Sequence, residues 1–480
     1  MLPARTTTTR TGHRVALALL LGGASAALSA CSFGPFDDLE QRVPVARVER
    51  GGGLSSDFFG GLLLGTALPA DDEGGVLLAA GTGSRPGLLS ARFAIDGKHR
   101  ASASSGSQYS TALDLGNHQP RSLARVLTAP ATDEGPFAYV GATSVGSSSV
   151  EAAGLVVLAD FRSFKALATL RPGDLAPAAE TQAADFGAAV VSFALARDSS
   201  GNATSRGLLV GGRGRLWGYL SDDWANKPAR HVIAGTGIPG WPATAAPEST
   251  FVTLAAGNLD GSADGADELV IAAPDSNFVA VLRPGGGLAT CADGASGCPL
   301  TVLAPPAGAA GFGRSLLLTN LDSDPQFELL VGAPKTAGGT GAVYVYDFDS
   351  SGAATLRVTV AAPEAGEAFG QALAIGRFEG SDRVLLAVGA PTASVKGAAS
   401  AGRIYLYKTA DLVAGGEPPT KLGLAELRDA EAGQLLGQAL TTLPFRRAEV
   451  SAELLTSNGT DAALVFFANL TDQQLDLRVR

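Results

Sequence analysis

Histidine is scarce in this chain, four in 480 residues, and nothing gathers them. His13 lies near the amino terminus, and His99, His118 and His231 are each isolated, so no histidine cluster suggests a metal centre. A Gly-x-Ser-x-Gly elbow and a phosphate-binding loop are missing too. The glycine triplets from Gly51 and Gly285 stand outside any such motif and read as turns, and the pair Asp222 and Asp223 reads as solvated loop. Basic residues are outnumbered 36 to 46, a net charge of −10, which argues against nucleic acid as a partner. No apolar stretch makes a convincing membrane span, which takes about 20 apolar residues.

What is present begins with an export signal. Met1 to Arg14 carries Arg5, Arg10 and Arg14 and no acid, and Val15 to Leu21 is wholly apolar. That is the layout of a secretory signal peptide. The stretch ends at Cys31, and Leu28, Ser29, Ala30 and Cys31 resemble the lipobox of bacterial lipoproteins. The resemblance implies cleavage before Cys31, lipidation of that cysteine, and a tether over residues 31–41. By the same resemblance Ser32 does not hold the protein at the inner membrane, so the expected location is the cell envelope, at the outer membrane. Removing residues 1–30 leaves 33 basic against 46 acidic residues, a net charge of −13.

The chain as a whole is rich in Gly (62) and Pro (26), and over residues 42–480 the apolar residues come in short Val, Leu and Ala runs. Many short strands with tight turns follow, hence an all-β sandwich, barrel or propeller. Internal repeats choose among these. GFGRSLLLTNLDSDPQFELLVGAPKTAGGTGAVYVYDF from Gly311 aligns with AFGQALAIGRFEGSDRVLLAVGAPTASVKGAASAGRIYLYK from Ala368, and with a third copy from Ser249. Anchors at Phe59, Phe186, Phe251, Phe312, Phe369 and Leu436 leave one double-length gap, which places a degenerate copy near Leu123. Third strands are expected from Gly87, Gly154, Gly214, Phe278, Gly341, Gly402 and Ala462. Fourth strands are expected from Ala229, Leu300 and Leu356. Four antiparallel strands make one propeller blade, so the expected fold is a seven-bladed β-propeller over 42–480. The outer strand of the last blade comes from Arg42–Glu49 or from the segment beginning at Leu475.

These copies resemble the FG-GAP repeat of integrin α-subunit propellers and their bacterial relatives. The resemblance favours closure by the N-terminal strand and implies calcium in the turn after a blade's first strand. Calcium takes six to eight hard oxygens. Asn320, Asp322, Asp324 and Glu328 stand at ligand positions 1, 3, 5 and 9, with the Gln326 carbonyl at 7. Asn258, Asp260, Asp264 and Glu268 repeat the pattern if two residues loop out. Both turns depart from the family: Pro325 replaces the usual glycine, and the second turn carries the insertion. A metal-free acidic hairpin is the competing reading of each.

Cys291 and Cys298, the only other cysteines, read as a disulfide closing a short loop in an exported protein. Trp241, in a Pro- and Gly-rich loop on the opposite face from the acidic turns, is a candidate ligand contact. The expected function is a non-catalytic binding or adhesion module for a protein or glycan of the envelope, held to the membrane by its lipid. Two alternatives stand beside it: a propeller hydrolase or lyase acting on envelope polysaccharide or lipid, and a structural subunit of an envelope complex.

Overall fold

The computed structural model describes residues 45–50 and, in pieces, 59–479, most continuously over 300–322, 324–376 and 384–413. The architecture is all-β and propeller-like. In chain order, the first sheet holds Phe59–Ala67, Gly74–Gly81, Gly87–Ile95 and Ala101–Ala103, with Gln108–Ser110 also paired to its third strand. The second holds His118–Arg125, Phe137–Ser144, Leu155–Asp160 and Lys165–Leu170. The third holds Ala189–Arg197, Ala203–Gly212, Arg215–Tyr219 and Arg230–Ala234. The fourth holds Thr253–Gly257, Glu268–Ala273, Phe278–Leu282 and Leu300–Leu303. The fifth holds Ser315–Thr319, Glu328–Ala333, Ala342–Phe348 and Ala354–Ala361, and the sixth Leu373–Gly376, Leu385–Ala390, Arg403–Lys408 and Lys421–Ala425. Within each of these, successive strands run antiparallel.

The last sheet joins the two ends of the chain. After Leu440–Leu443, Glu453–Ser457 and Ala462–Phe466, its fourth strand is Val45–Arg50, antiparallel, with Ala46 opposite Val465. Leu475–Val479 then adds outside Val45–Arg50 as a fifth, parallel strand. Both segments that compete for this sheet in the sequence are therefore in it, the N-terminal one inside.

First strands of successive sheets touch in a closed cycle: Phe59–Ala67, His118–Arg125, Ala189–Arg197, Thr253–Gly257, Ser315–Thr319, Leu373–Gly376, Leu440–Leu443, and back to Phe59–Ala67. Burial follows from that order. Second strands such as Glu268–Ala273, Glu328–Ala333 and Leu385–Ala390 are buried at every position, because a neighbouring sheet covers each face. Outer strands are open on one side, and Lys165–Leu170 is exposed at most positions. The core accordingly lies between sheets. Val270, Val279, Phe312, Val331 and Tyr344 fill one such space, and Leu330, Val345, Phe369, Leu386 and Tyr405 the next.

The repeat motif has a packing explanation. Three anchor phenylalanines pack on an aromatic of their own third strand: Phe186 edge-on to Trp217 at 5.0 Å, Phe312 edge-on to Tyr344 at 5.8 Å, and Phe369 tilted on Tyr405 at 5.7 Å. Beside it, a serine one residue past the Phe-Gly pair and its successor reaches the next sheet. Ser315 Oγ donates to the Gly370 carbonyl at 2.8 Å, and Ser122 Oγ to the Gly187 carbonyl at 2.9 Å.

That equivalence corrects two alignments. Ser122 opposes Gly141 as Ser315 opposes Gly332, so the degenerate copy has Gln119 and Pro120 where Phe312 and Gly313 stand, before Leu123. Leu113 and Leu115 are buried in the core between the first and second sheets. In the fourth sheet Thr253 opposes Ala272 and donates its hydroxyl to the Arg314 carbonyl at 3.1 Å. Thr253 therefore takes the serine position, and Phe251 aligns with Gly313 instead of Phe312.

Candidate metal centre

In the fifth sheet, Thr319 pairs with Glu328 and closes the hairpin that holds the predicted ligands. Glu328 is fully buried at 0% exposure, because its carboxylate folds under the turn. There Oε2 accepts the Leu321 N–H at 2.6 Å. Its other oxygen, Oε1, is buried without a hydrogen-bond partner, which costs free energy unless a proton or a cation meets it. The turn is shaped by its own acids: Asp322 Oδ1 accepts the Asp324 N–H at 3.3 Å, and Asp324 Oδ1 the Gln326 N–H at 3.0 Å. Asn320 donates its side-chain amide to the Asp324 carbonyl.

The result brings one carboxylate oxygen each from Asp322, Asp324 and Glu328 within 4.8 Å of one another. Oxygens sharing one calcium at about 2.3–2.6 Å lie no further apart than roughly twice that distance, so the three fit one coordination shell. Burial, reinforced by the charges of Asp322 and Asp324, pushes the Glu328 carboxyl up to about 7, although the Leu321 N–H opposes it. Asp324 is raised as well, by desolvation and then by Asp322.

Two residues outside the motif complete the electrostatics. Arg357, on the fourth strand, bonds Asp347 Oδ2 at 2.6 Å and Asp322 Oδ2 at 3.1 Å. The resident guanidinium thus neutralises part of the cluster, its charge acting on Asp347, Asp322 and Glu328, while Glu328 Oε1 keeps no hydrogen-bond partner. Neither Arg357 nor Asp347 carried a sequence signal, because both lie on strands remote from the turn.

The equivalent turn of the fourth sheet is built differently. Glu268 Oε2 accepts both the Leu259 N–H at 2.8 Å and the Asp260 N–H at 3.3 Å, and burial pushes this carboxyl to about 7. Asp260 pairs with Arg283 Nη2 at 3.3 Å, so an arginine stands at the position-3 carboxylate here as Arg357 does at Asp322. Asn258 Oδ1 is buried without a partner. A cavity of about 250 Å³, lined in part by Glu268, Arg283, Thr301 and Ser351, opens beside it. The two turns support each other: Phe327 N–H donates to the Asn258 carbonyl at 3.0 Å, and Pro325 packs against Gly261. Pro325 therefore has a packing role in place of the glycine it replaces.

Asp264, Cys31, Cys291, Cys298 and Trp241 lie outside the described residues, as do residues 1–44. Among the described residues no helix is long and apolar enough to cross a membrane. No family model matches the chain, and no curated protein is significantly similar to it.

Proposed function

We propose that this chain is a lipid-anchored protein of the cell envelope, exported by residues 1–30 and held at Cys31, whose sheets are the seven blades of a closed FG-GAP-type propeller. It serves as a binding module without turnover, and calcium at Asn320, Asp322, Asp324, Gln326 and Glu328 stiffens the face that carries the acidic turns. The observation that supports this reading is the repeated contact between neighbouring sheets. Ser122 with Gly187 and Ser315 with Gly370 make the same junction, so the repeat residues are spent on joining blade to blade. A rigid disc of this kind presents loops at two faces, and loops on a fixed scaffold are where binding residues concentrate. The buried, unpartnered Glu328 Oε1 beside two further carboxylates supports the metal.

The deciding experiment presents purified protein to panels of envelope glycans and phosphodiesters, assaying binding and turnover together. Saturable binding with no product is expected; turnover of any member overturns the reading. For the anchor, radioactive palmitate should label the wild type and not Cys31→Ser, and labelling that persists in the variant removes the lipoprotein assignment.

A further inference from the structure

The innermost strand of each sheet has one edge that pairs with nothing in its own sheet, a row of N–H and C=O groups facing the axis. Side chains from neighbouring first strands meet some of these groups. Gly65 N–H donates to Thr441 Oγ1 at 3.4 Å, while the Gly65 carbonyl accepts from Arg125 Nε at 2.9 Å. The axis is thus polar, and arginine is part of its lining.

These arginines differ from the ion-paired ones elsewhere, although Arg206 also bonds a neutral oxygen, the Leu127 carbonyl. Arg213, Arg283, Arg357 and Arg403 each pair with a carboxylate, and Arg197, at the far end of its first strand, pairs with Asp267. Arg121, Arg125 and Arg314 instead bond neutral oxygens. Arg121 Nε meets Thr143 Oγ1 at 3.4 Å. With the Gln371 amide turned so that its oxygen faces these donors, Arg314 Nε and Nη2 meet that oxygen at 3.0 and 3.1 Å, and it also accepts from Gln438 Nε2 at 3.2 Å. The acid that acts on Arg314 electrostatically, Asp275, is itself paired with Lys335.

Arg121 and Arg314 hold the same place in their repeats, the residue before Ser122 and Ser315. Gln371 and Gln438 hold it in the sixth and last copies, Ala188 in the third and Gly61 in the first. The described members of this set thus carry two guanidiniums, two amides and no acid, in a chain of net charge −10. Arg125 and Arg314 are open to solvent, yet desolvation lowers the pKa of both. The repeat thus sets Arg121, Arg314, Gln371 and Gln438 at one end of the closed cycle of first strands.

We infer that the anchor end of the axial channel is a binding site for the oxyanion of a small ligand, a carboxylate or a sulfate or phosphate group, held by Arg121 and Arg314 with Gln371 and Gln438 as neutral donors. Guanidinium suits such groups because its planar fork matches two oxygens at once. The inference rests on reading the sheets as blades around one axis and gives the binding module its ligand chemistry.

The test titrates full-length protein in detergent at low ionic strength with sulfate, inorganic phosphate and citrate, by calorimetry, with glucose as neutral control. Saturable binding of at least one anion is expected, weakened tenfold or more in Arg314→Gln and in Arg121→Gln, and unchanged in Arg213→Gln. Preference for citrate over sulfate and phosphate identifies a carboxylate ligand, and the reverse an ester. Absence of saturable binding by the wild type, or binding that survives the double variant, overturns the site. If a glutamine variant fails to fold, Gln438→Ala and Arg314→Lys take its place with the same readout. The ring itself is checked separately by oxidising Ala46→Cys with Val465→Cys, which face each other in the last sheet. A cross-link without anion binding refutes the channel site alone; no cross-link refutes the joining of the two chain ends in the last sheet, and with it the closure on which the blade reading rests.

Discussion

Gly332 of the fifth sheet lies against the carbonyl oxygen of Gly370 of the sixth, so closely that a methyl group on Gly332 would fall inside van der Waals contact with it and with Ser315 Oγ. Gly141 stands in the same relation to Gly187 and Ser122, and Gly389 to Gly437. The glycine of the Gly-Ala-Pro segment and the glycine of the next Phe-Gly anchor are therefore one joint, made from two repeats.

Gly332→Ala should destabilise through overpacking alone, by about 2 kcal/mol or more. Gly433→Ala is the contrasting case: Gly433 has φ +81° and nothing within 4 Å of an added Cβ, so its cost is conformational, about 1–2 kcal/mol. Denaturant melts of the two variants should differ in that order. A Gly332→Ala protein as stable as the wild type would mean the sheets can separate at this joint without loss.

Removing metal should expose a pH dependence. Glu268 and Glu328 titrate near 7 in the fold against an ordinary 4.5, chiefly through desolvation. The folded chain binds these protons more tightly than the unfolded chain, so their stabilising contribution is complete below about 4.5 and disappears as pH rises through about 7. The melting temperature of chelated protein should fall between pH 5 and 8, and the fall should be shallower in Glu328→Gln. An equal slope in variant and wild type would show that Glu328 does not titrate in this range.

Calcium should reverse that loss where the carboxylates are ionised. Thermal melts at pH 8 should rise with calcium in the wild type and show no response in Glu328→Gln, whose amide oxygen can still accept the Leu321 N–H. Asp324→Asn should weaken the response. Affinity should increase from pH 6 to 8 because proton and cation compete for one oxygen. Wild-type melts indistinguishable in calcium and in chelator would leave Asn320 to Glu328 an acidic hairpin.

Much of this fold is visible in the sequence where one strand states its own pattern. Third strands such as Ala342–Phe348 alternate aromatic and aliphatic residues after a glycine, and the structure begins strands at or next to the expected positions. The acidic turn is equally plain, since Asn320, Asp322, Asp324 and Glu328 are near neighbours in the chain. Interactions between repeats are not. Nothing near Asp322 announces Arg357, 35 residues on, and the degenerate anchor at Gln119 and Pro120 surfaces only through what Ser122 bonds. The order of strands at the chain ends depends on pairing across more than 400 residues, which no local pattern encodes.

That order makes the last prediction. Val45–Arg50 lies between two strands, with Val48 opposite Ala463 on one side and Leu477 on the other. Leu475–Val479 has one neighbour only. Proline removes a backbone donor and is tolerated at sheet edges but not inside sheets. Val48→Pro should therefore cost about 3 kcal/mol or more, while Leu477→Pro should cost markedly less. Val48→Pro should also open the last sheet to protease, since Ala462–Phe466 loses its outer partner and Leu475–Val479 its only one. Limited proteolysis with melting curves on both variants decides the matter. If Leu477→Pro is at least as damaging as Val48→Pro, the C-terminal strand, and not the N-terminal one, occupies the inner place.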